Sequence, residues 1–398
     1  MSHFRTLWRD PAIRLVILCL LLLGVLNSSI YPYQSLIGLT VAGLSETQFA
    51  AMLMMASGVA VSASVLLGML ADRRAARRKI ALATAGVATV GVTLMLLAPG
   101  PVVMVLVHGL LFPIAASLYG QFFALARLAR SEEGAARERT LASVRSSMSL
   151  SFLAMLVIWT FAFGAGVGVM WVYASALVAA LGLVVLIWRR WPKDGQTRWE
   201  DRPSGLNFRA ALAEMAHGRI LSRVLLLGGI ASAGNLYMVL VSLVFTNTPG
   251  RGTADVALYV GLVAGWEVPC MLILPRLVRG IRRQTLMLVG TVIYVMHLGL
   301  LPILAGSTWV WALTVLAGIG GTAIITLPIS YYQDLLPDRP GTAGAMLSVQ
   351  KLVSDIFGAI AFALGMAFGG VESTALTGAA LALIGAVGLW WVDRRQVR

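Results

Sequence analysis

The sequence predicts an all-α membrane protein with twelve transmembrane helices in two pseudo-symmetric six-helix bundles. Three observations predict this fold: the chain is strongly apolar, its apolar runs are long, and its basic residues collect in alternate loops. Of its 398 residues, 59% are hydrophobic and 12% are charged, whereas soluble domains carry about 25% charged residues. A helix needs about 20 apolar residues to cross the hydrocarbon core of a bilayer.

Twelve candidate spans follow one another along the chain. Long uninterrupted apolar runs favour helices over a barrel, whose strands would be short and alternating. The first run is too long for the apolar core of a signal peptide, and no small-residue cleavage site follows it. The spans lie at about 12–38, 46–71, 80–98, 102–127, 141–164, 168–189, 220–247, 254–278, 285–304, 309–333, 342–369 and 372–392.

The net charge of +14 is distributed unevenly between the two sides of the membrane. If the N-terminus lies inside, the inner segments carry nearly all of the arginines and lysines, and the outer loops carry only Arg251. This asymmetry is the positive-inside rule and predicts that both termini are cytoplasmic. Contact with anionic lipid accounts for the excess charge, so we expect a lipid bilayer and no nucleic acid as partner.

The residues that usually carry enzyme chemistry are few and scattered. Cys19 and Cys270 both fall within spans, and the four histidines lie far apart in the sequence. The chain contains neither a phosphate-binding loop nor a nucleophile elbow. We therefore expect no enzyme activity, no cofactor and no metal site.

A hydrophilic linker, 191–219, divides an N-terminal bundle (1–190) from a C-terminal bundle (220–398). The two halves resemble each other. "GMLADRRAARRK" (68–79) follows the second span, and "LPRLVRGIRRQ" (274–284) follows the eighth. Repeated halves with a substrate site between them are a common transporter architecture.

The first of these loops resembles the signature loop of the major facilitator superfamily, with Ala76 where that family usually has Gly. The resemblance covers the whole chain and implies alternating access. In the family this loop holds the halves together on the cytoplasmic side of the outward-facing state. The resemblance therefore implies that this conformational gate consists of Gly68, Asp72, Arg73, Arg77 and Arg78.

A narrower resemblance is to the bacterial sugar efflux transporters of that superfamily. It rests on "FFALAR" (122–127), "NLYM" (235–238), "WEVP" (266–269) and "YYQDLLPDRPG" (331–341). It implies an exporter of sugars or glycosides in a bacterial inner membrane. Members of that group carry an acid and a proline late in span 7, where this chain has Val241-Ser242-Leu243. That difference leaves open an exporter of drugs, metallophores or other metabolites; a non-transporting receptor or scaffold is a third alternative.

Polar residues recur at helical spacing on one face of spans 1, 4, 7 and 10. In the superfamily these four spans border the central cavity, so their large polar residues are candidate substrate ligands. Hydrogen bonding between helices is the alternative explanation. The candidates are Asn27, Tyr31, Gln34, Gln121 and Asn235. Pro32, which interrupts the backbone hydrogen bonds, predicts a break in span 1.

Lys351 and Asp355 lie one helical turn apart inside span 11. A charge at the centre of a bilayer costs about 2.5–3.5 kcal/mol on insertion scales, far more than an exposed ion pair returns. We expect the pair to face an aqueous cavity and bind substrate. A purely structural pair and a displaced span boundary are the alternatives. Arg145, about one turn inside span 5, is a further candidate ligand.

Glu267, near the middle of span 8, is the main candidate for proton coupling, with Asp355 as the second. Burial disfavours the charged form of a carboxyl, so that Glu267 could load and release protons. The alternative is a permanent partner for Lys351 or Arg145. Trp266 offers a stacking surface for a substrate, although it and Glu267 cannot point in the same direction. The sequence thus predicts a monomeric, proton-coupled exporter of a small molecule.

Overall fold

The computed structural model describes residues 8–74, 76–129, 134–193, 218–277, 281–335 and 340–394. These residues are helical apart from short turns, and no strand occurs within those ranges. Eleven of the described helices are long and apolar enough to cross a membrane. The last of them, Val349–Arg394, has 46 residues and contains a non-helical break at Gly369 and Gly370. It therefore corresponds to two crossings, and the predicted all-α membrane fold is confirmed.

The six helices before the linker are numbered α1 to α6. The fourth, α4, is a run of short helical pieces: Pro101–Leu106, the π-helix Val107–Leu111, Phe112–Ala115 and Ser117–Ala129. The others are α1 (Pro11–Ile30), α2 (Glu46–Arg74), α3 (Arg77–Leu97), α5 (Gly134–Gly164) and α6 (Trp171–Arg190).

The helices after the linker are numbered α7 to α12. A 3-10 turn, Thr308–Ala312, precedes α10. We treat Pro340–Arg394 as two helices, α11 and α12, that meet at its break. The remaining helices are α7 (Gly218–Asn247), α8 (Thr253–Leu277), α9 (Arg283–Leu304) and α10 (Leu313–Leu335).

The chain forms two compact units. Among the described residues, 8–43 and 55–193 belong to the first unit, and 44–54 and 218–394 belong to the second. The first turns of α2 thus belong to the second unit, where Phe49 packs edge-on against Phe362 of α11 with their ring centroids 5.6 Å apart. Most of the predicted linker 191–219 lies outside the described residues.

In the first unit, α1 packs against α5 and α6. Gly24 permits the close approach to α5, because a Cβ atom there would lie 2.1 Å from Ser151 Oγ. Farther along α1, Ser29 Oγ lies 2.8 Å from Ser175 Oγ of α6 and accepts a hydrogen bond of 3.2 Å from Trp159 Nε1 of α5. These polar contacts fix the three helices in one register.

The predicted break at Pro32 is present in the structure. The α-helical part of α1 ends at Ile30, and a 3-10 turn, Tyr31–Tyr33, follows. A short helix, Gln34–Leu36, and a π-helix, Ile37–Val41, complete the run. Asn27, Tyr31 and Gln34 therefore lie on three successive helical segments, of which the middle one is a 3-10 turn, rather than on one regular face.

In the second unit, α7 lies between α11 and α12. A Cβ atom at Gly228 would lie 2.4 Å from Val353 Cγ1 of α11. On the other side, a Cβ atom at Gly385 of α12 would lie 2.5 Å from the backbone carbonyl oxygen of Leu226 of α7. Glycines on α7 and α12 thus let the three helices pack closely, and this packing places polar groups of α7 beside those of α11.

Candidate substrate and proton sites

A polar cluster joins α7 to α11 in the second unit. Asp355 lies at its centre: Lys351 Nζ donates to both of its carboxylate oxygens, at 3.0 and 2.9 Å. Asn235 Nδ2 of α7 donates to Asp355 Oδ1 at 2.6 Å and to Ser354 Oγ at 3.0 Å. The structure therefore brings together three predicted substrate-binding residues, which we call the Asn235–Lys351–Asp355 cluster.

The residues of this cluster differ in how far they are exposed. The side chain of Lys351 is 67% exposed, whereas that of Asp355 is 18% exposed and Ser354 is buried. The Asp355 carboxylate thus lies between an amide and an ammonium group. Because the Lys351 side chain is mostly exposed, a ligand oxygen can reach its ammonium group. The cluster is thus suited to hydrogen-bond a neutral, hydroxyl-rich molecule.

Glu267 of α8 lies in a different place, against α10. A Cβ atom at Gly321 would lie 2.9 Å from Glu267 Oε1 and 3.4 Å from the Cε2 atom of Tyr294 of α9. Thr322 Oγ1 donates to the backbone carbonyl of Glu267 at 3.3 Å. The carboxyl group therefore faces α10 and α9, and its helix is anchored to α10 beside it.

Trp266 and Glu267 differ in exposure, as their adjacent positions on a helix require. Trp266 is 43% exposed, whereas Glu267 is half-buried. The glycines of α10 make room for both, since a Cβ atom at Gly318 would lie 2.4 Å from Trp266 Cβ. The indole therefore offers an accessible face, and the carboxyl group is the more enclosed of the two.

The candidate ligands of the first unit are less closely connected. Gln121 of α4 is buried, and its Nε2 donates to Ser117 Oγ at 3.4 Å; among the described residues its Oε1 atom finds no partner. Asn27 and Gln34 are half-buried, Tyr31 is 41% exposed and Arg145 of α5 is exposed. The cluster on α7 and α11 remains the densest group of predicted ligands.

The predicted gate is described only in part. Gly68, Asp72 and Arg73 lie on the last turns of α2, but the side chains of Asp72 and Arg73 lie outside the described part of the chain. Arg77 and Arg78 begin α3, where both are half-buried. Arg78 donates to the backbone carbonyl of Trp188 near the end of α6. Arg78 is thus attached within its own unit.

A network that the sequence analysis did not single out joins four helices of the second unit. Arg223 of α7 is 1% exposed, and its Nη2 lies 2.8 Å from Asp393 Oδ1 of α12. Tyr331 Oη of α10 donates to Asp393 Oδ2 at 2.8 Å, and Gln284 Nε2 of α9 donates to the same atom at 3.0 Å. Arg223 lies one turn inside span 7. A charged residue at that depth was the feature of the sequence that could have indicated a buried polar network.

Comparison with known proteins supports a transporter. No family model matches the chain. It is 28% identical over 391 residues to a protein of Deinococcus radiodurans described as a "Putative sugar efflux transporter", covering 95% of this chain and 97% of that protein.

Solved structures share the fold. The nucleoside transporter NupG, in its D323A form, superposes with a TM-score of 0.78 at 15% identity, over 96% of this chain and 99% of that one. A D-xylose-proton symporter superposes with a TM-score of 0.70, also at 15% identity, over 94% and 96%. The predicted resemblance to sugar efflux transporters is therefore confirmed, and this chain is a multi-pass membrane transporter rather than an enzyme.

Proposed function

We propose that this chain, a transporter of the major facilitator superfamily, exports sugars, glycosides or similar small polar solutes in exchange for protons. The proposal places it in a bacterial inner membrane, as a monomer with both termini in the cytoplasm. Two bundles, 1–190 and 220–398, joined by 191–219, would work by alternating access. The relative described as a sugar efflux transporter supports the substrate class.

The observation that carries this proposal is the Asn235–Lys351–Asp355 cluster. Sugars present hydroxyl groups that both donate and accept hydrogen bonds, and this cluster offers a carboxylate acceptor beside an exposed ammonium donor. The charges of Lys351 and Asp355 cancel, so the cluster suits a neutral solute better than an ion. An accessible indole such as that of Trp266 adds an apolar surface for a sugar ring. Asn27, Tyr31, Gln34, Gln121 and Arg145 complete the proposed set of ligands.

Proton coupling is assigned to Glu267, with Asp355 as the second carboxyl group. Asp355 already accepts hydrogen bonds from an amide and an ammonium group. Glu267 lies against glycine and an aromatic ring, so it is the freer of the two groups to take up a proton. That a symporter named for proton coupling shares this fold supports the assignment.

The conformational gate is assigned to the loop between α2 and α3. By its resemblance to the superfamily loop, it would stabilise closure on the cytoplasmic side. A gate shifts the populations of two states only if it interacts differently with them. The residues proposed for this role are Gly68, Asp72, Arg73, Arg77 and Arg78.

A ligand screen tests the substrate class. We would measure thermal unfolding of the purified protein with a pentose, a disaccharide, a glycoside, a nucleoside, a cationic drug and a metal chelate. A compound that binds only the folded state raises the unfolding temperature by mass action. We expect a sugar or glycoside to stabilise the wild type and to stabilise Asp355→Asn less. Stabilisation by the drug or the chelate alone would contradict the proposal and favour an exporter of that class.

A further inference from the structure

A group of buried aromatic residues fills the interior of the second unit between α7, α8 and α9. Its members are Tyr237 of α7, Tyr259 of α8, and Tyr294 and His297 of α9. Tyr259 and His297 are 0% exposed, and Tyr237 and Tyr294 are each 4% exposed. We call these four residues the Tyr–His cluster.

His297 lies at the centre of this cluster. Its ring centroid lies 5.2 Å from that of Tyr237, 5.3 Å from that of Tyr294 and 6.0 Å from that of Tyr259. The first two rings meet the imidazole edge-on, and the ring of Tyr259 is nearly parallel to it. Three helices thus each place a phenol ring against one imidazole.

Several polar atoms of the cluster find no protein partner in the described part of the chain. They are Tyr237 Oη, Tyr259 Oη and, by strict hydrogen-bond geometry, both ring nitrogens of His297, one of which lies near the backbone of Tyr294. Leaving a buried polar group without a hydrogen bond costs about 1–3 kcal/mol, and such groups in native proteins call for an explanation. Phenylalanine and leucine would fill the same space without that cost.

Water is the partner that this chemistry fits. A buried water molecule needs 2–4 polar partners, and the cluster offers two hydroxyl groups and two imidazole nitrogens. An imidazole nitrogen that carries a proton donates to water, and the other accepts from it. Water between these rings would therefore satisfy groups from α7, α8 and α9.

Glu267 lies next to this cluster. Its Oε1 atom and the ring edge of Tyr294 both lie within 3.4 Å of the position that a Cβ atom on Gly321 would take. Tyr259 lies two helical turns before Glu267 on α8, nearer the predicted outer end. Phe245 stacks on Trp311, with their ring centroids 6.0 Å apart. The Arg251 guanidinium, which is paired with Asp255, lies over the Trp311 indole.

We propose that the Tyr–His cluster holds buried water and forms a proton relay between Glu267 and the outer side of the membrane, inside the second unit. When one nitrogen of His297 accepts a proton, the other nitrogen releases one. The number of protons held by the relay therefore does not change. The relay rests on the proposed role of Glu267 as proton carrier. It would give protons a route that does not pass through the substrate site.

Hydroxyl-radical footprinting tests the buried water. X-ray radiolysis makes radicals from water in place, so a buried side chain beside water is oxidised although bulk solvent cannot reach it. Tyr173 is a matched control: it is equally buried, and its hydroxyl is 2.7 Å from His108 Nε2. We expect Tyr237, Tyr259 and His297 to be oxidised severalfold more than Tyr173. Oxidation no higher than that of Tyr173 would overturn the proposal.

The Tyr259→Phe variant provides a second measurement. If the site is dry, removing the hydroxyl removes an unpartnered group, and the unfolding temperature rises. If the site holds shared water, the temperature falls, and oxidation of His297 falls with it. Tyr173→Phe, measured in parallel, should leave oxidation of His297 unchanged. A rise in unfolding temperature for Tyr259→Phe would therefore overturn the proposal.

Infrared spectroscopy separates the relay from the proposed function. The carboxylic acid band of Glu267 is identified by its loss in Glu267→Gln, and it should appear and disappear with pH if Glu267 carries protons. The relay predicts in addition that Tyr237→Phe shifts this band, whereas Tyr173→Phe does not. A band that responds to pH but not to Tyr237→Phe would overturn the relay alone. A band that never responds to pH would overturn the proposed role of Glu267.

Discussion

Asn235 Nδ2 donates to Asp355 Oδ1 over 2.6 Å, and this contact connects α7 to the charged pair of α11. The amide gives the carboxylate a partner that is neutral, so the pair keeps its overall charge of zero. The same nitrogen also donates to Ser354 Oγ, which fixes the orientation of the amide. The contact thus decides which face of α11 is presented beside α7.

Replacing this amide with an acid should make the protein sensitive to pH. Asn235→Asp would put a second carboxyl group where the amide now donates, and like charges so close cannot both be ionised without a large cost. The folded state would then bind a proton that the unfolded state releases at neutral pH. We expect a lower unfolding temperature than wild type at neutral pH, with the difference shrinking as the pH falls.

Asn247→Asp, at the exposed end of the same helix, is the matched control. It adds the same charge to α7 without placing it beside Asp355. Its unfolding temperature should follow that of the wild type across the pH range. If Asn235→Asp behaved like Asn247→Asp, the contact between Asn235 and Asp355 would not contribute to the folded state.

Removing one member of the charged pair should cost more than removing both. Lys351→Met leaves Asp355 largely buried without its cation, which destabilises the fold. Because the Lys351 side chain is 67% exposed, we expect a loss of about 1–2 kcal/mol, between the values for exposed and buried pairs. In Lys351→Met/Asp355→Asn the amide of Asn235 keeps an acceptor, and stability should largely return. Thermal or denaturant unfolding would measure both, and a double variant no milder than the single one would contradict the pairing.

The buried network around Arg223 should contribute far more to stability than an exposed ion pair of the same unit. Arg223→Met leaves the carboxylate of Asp393 without its cation. Removing one partner of a buried ion pair lowers the free energy of unfolding by about 3–5 kcal/mol. Arg283 and Asp334 form the matched exposed pair, with side chains 34% and 64% exposed, and Arg283→Met should cost about 0–1 kcal/mol. Equal losses of stability for the two variants would contradict this interpretation of the network.

Glu267→Gln should separate proton movement from substrate exchange. The amide keeps the size of the side chain but cannot carry a proton. In proteoliposomes loaded with the sugar or glycoside that stabilises the protein most, we expect proton movement driven by the substrate to stop and counterflow exchange to continue. Glu46→Gln, at the exposed start of α2, should retain both. Full proton-coupled transport by Glu267→Gln would show that another group carries the proton.

The predicted orientation can be tested by labelling single cysteines from each side of the membrane. Pro249 is exposed between α7 and α8, and Lys193 is exposed after α6. In a background in which Cys19 and Cys270 are replaced with alanine, Pro249→Cys should react with an impermeant maleimide added outside intact cells. Lys193→Cys should react only after the membrane is opened. The reverse pattern would show that the termini lie outside.

Features that depend on neighbouring residues in the chain were predictable. The apolar runs identify the spans because the bilayer selects for length and hydropathy alone. Pro32 interrupts α1, and Gly369 and Gly370 interrupt the last long helix, since both residue types change the local backbone directly. Lys351 and Asp355 could be paired because side chains four residues apart on a helix are neighbours.

Contacts between helices could not be predicted in the same way. Asn235 meets Asp355 across 120 positions of sequence, and Arg223 meets Asp393 across 170. Whether such groups meet depends on the rotation and depth of each helix. Close packing at glycines such as Gly228 and Gly321 helps to set both. The sequence by itself thus determined where the long apolar helices lie, the breaks at Pro32 and at Gly369 and Gly370, and the local ion pair. The tertiary structure alone decided which polar groups share a site, because packing between helices depends on every surface in contact at once.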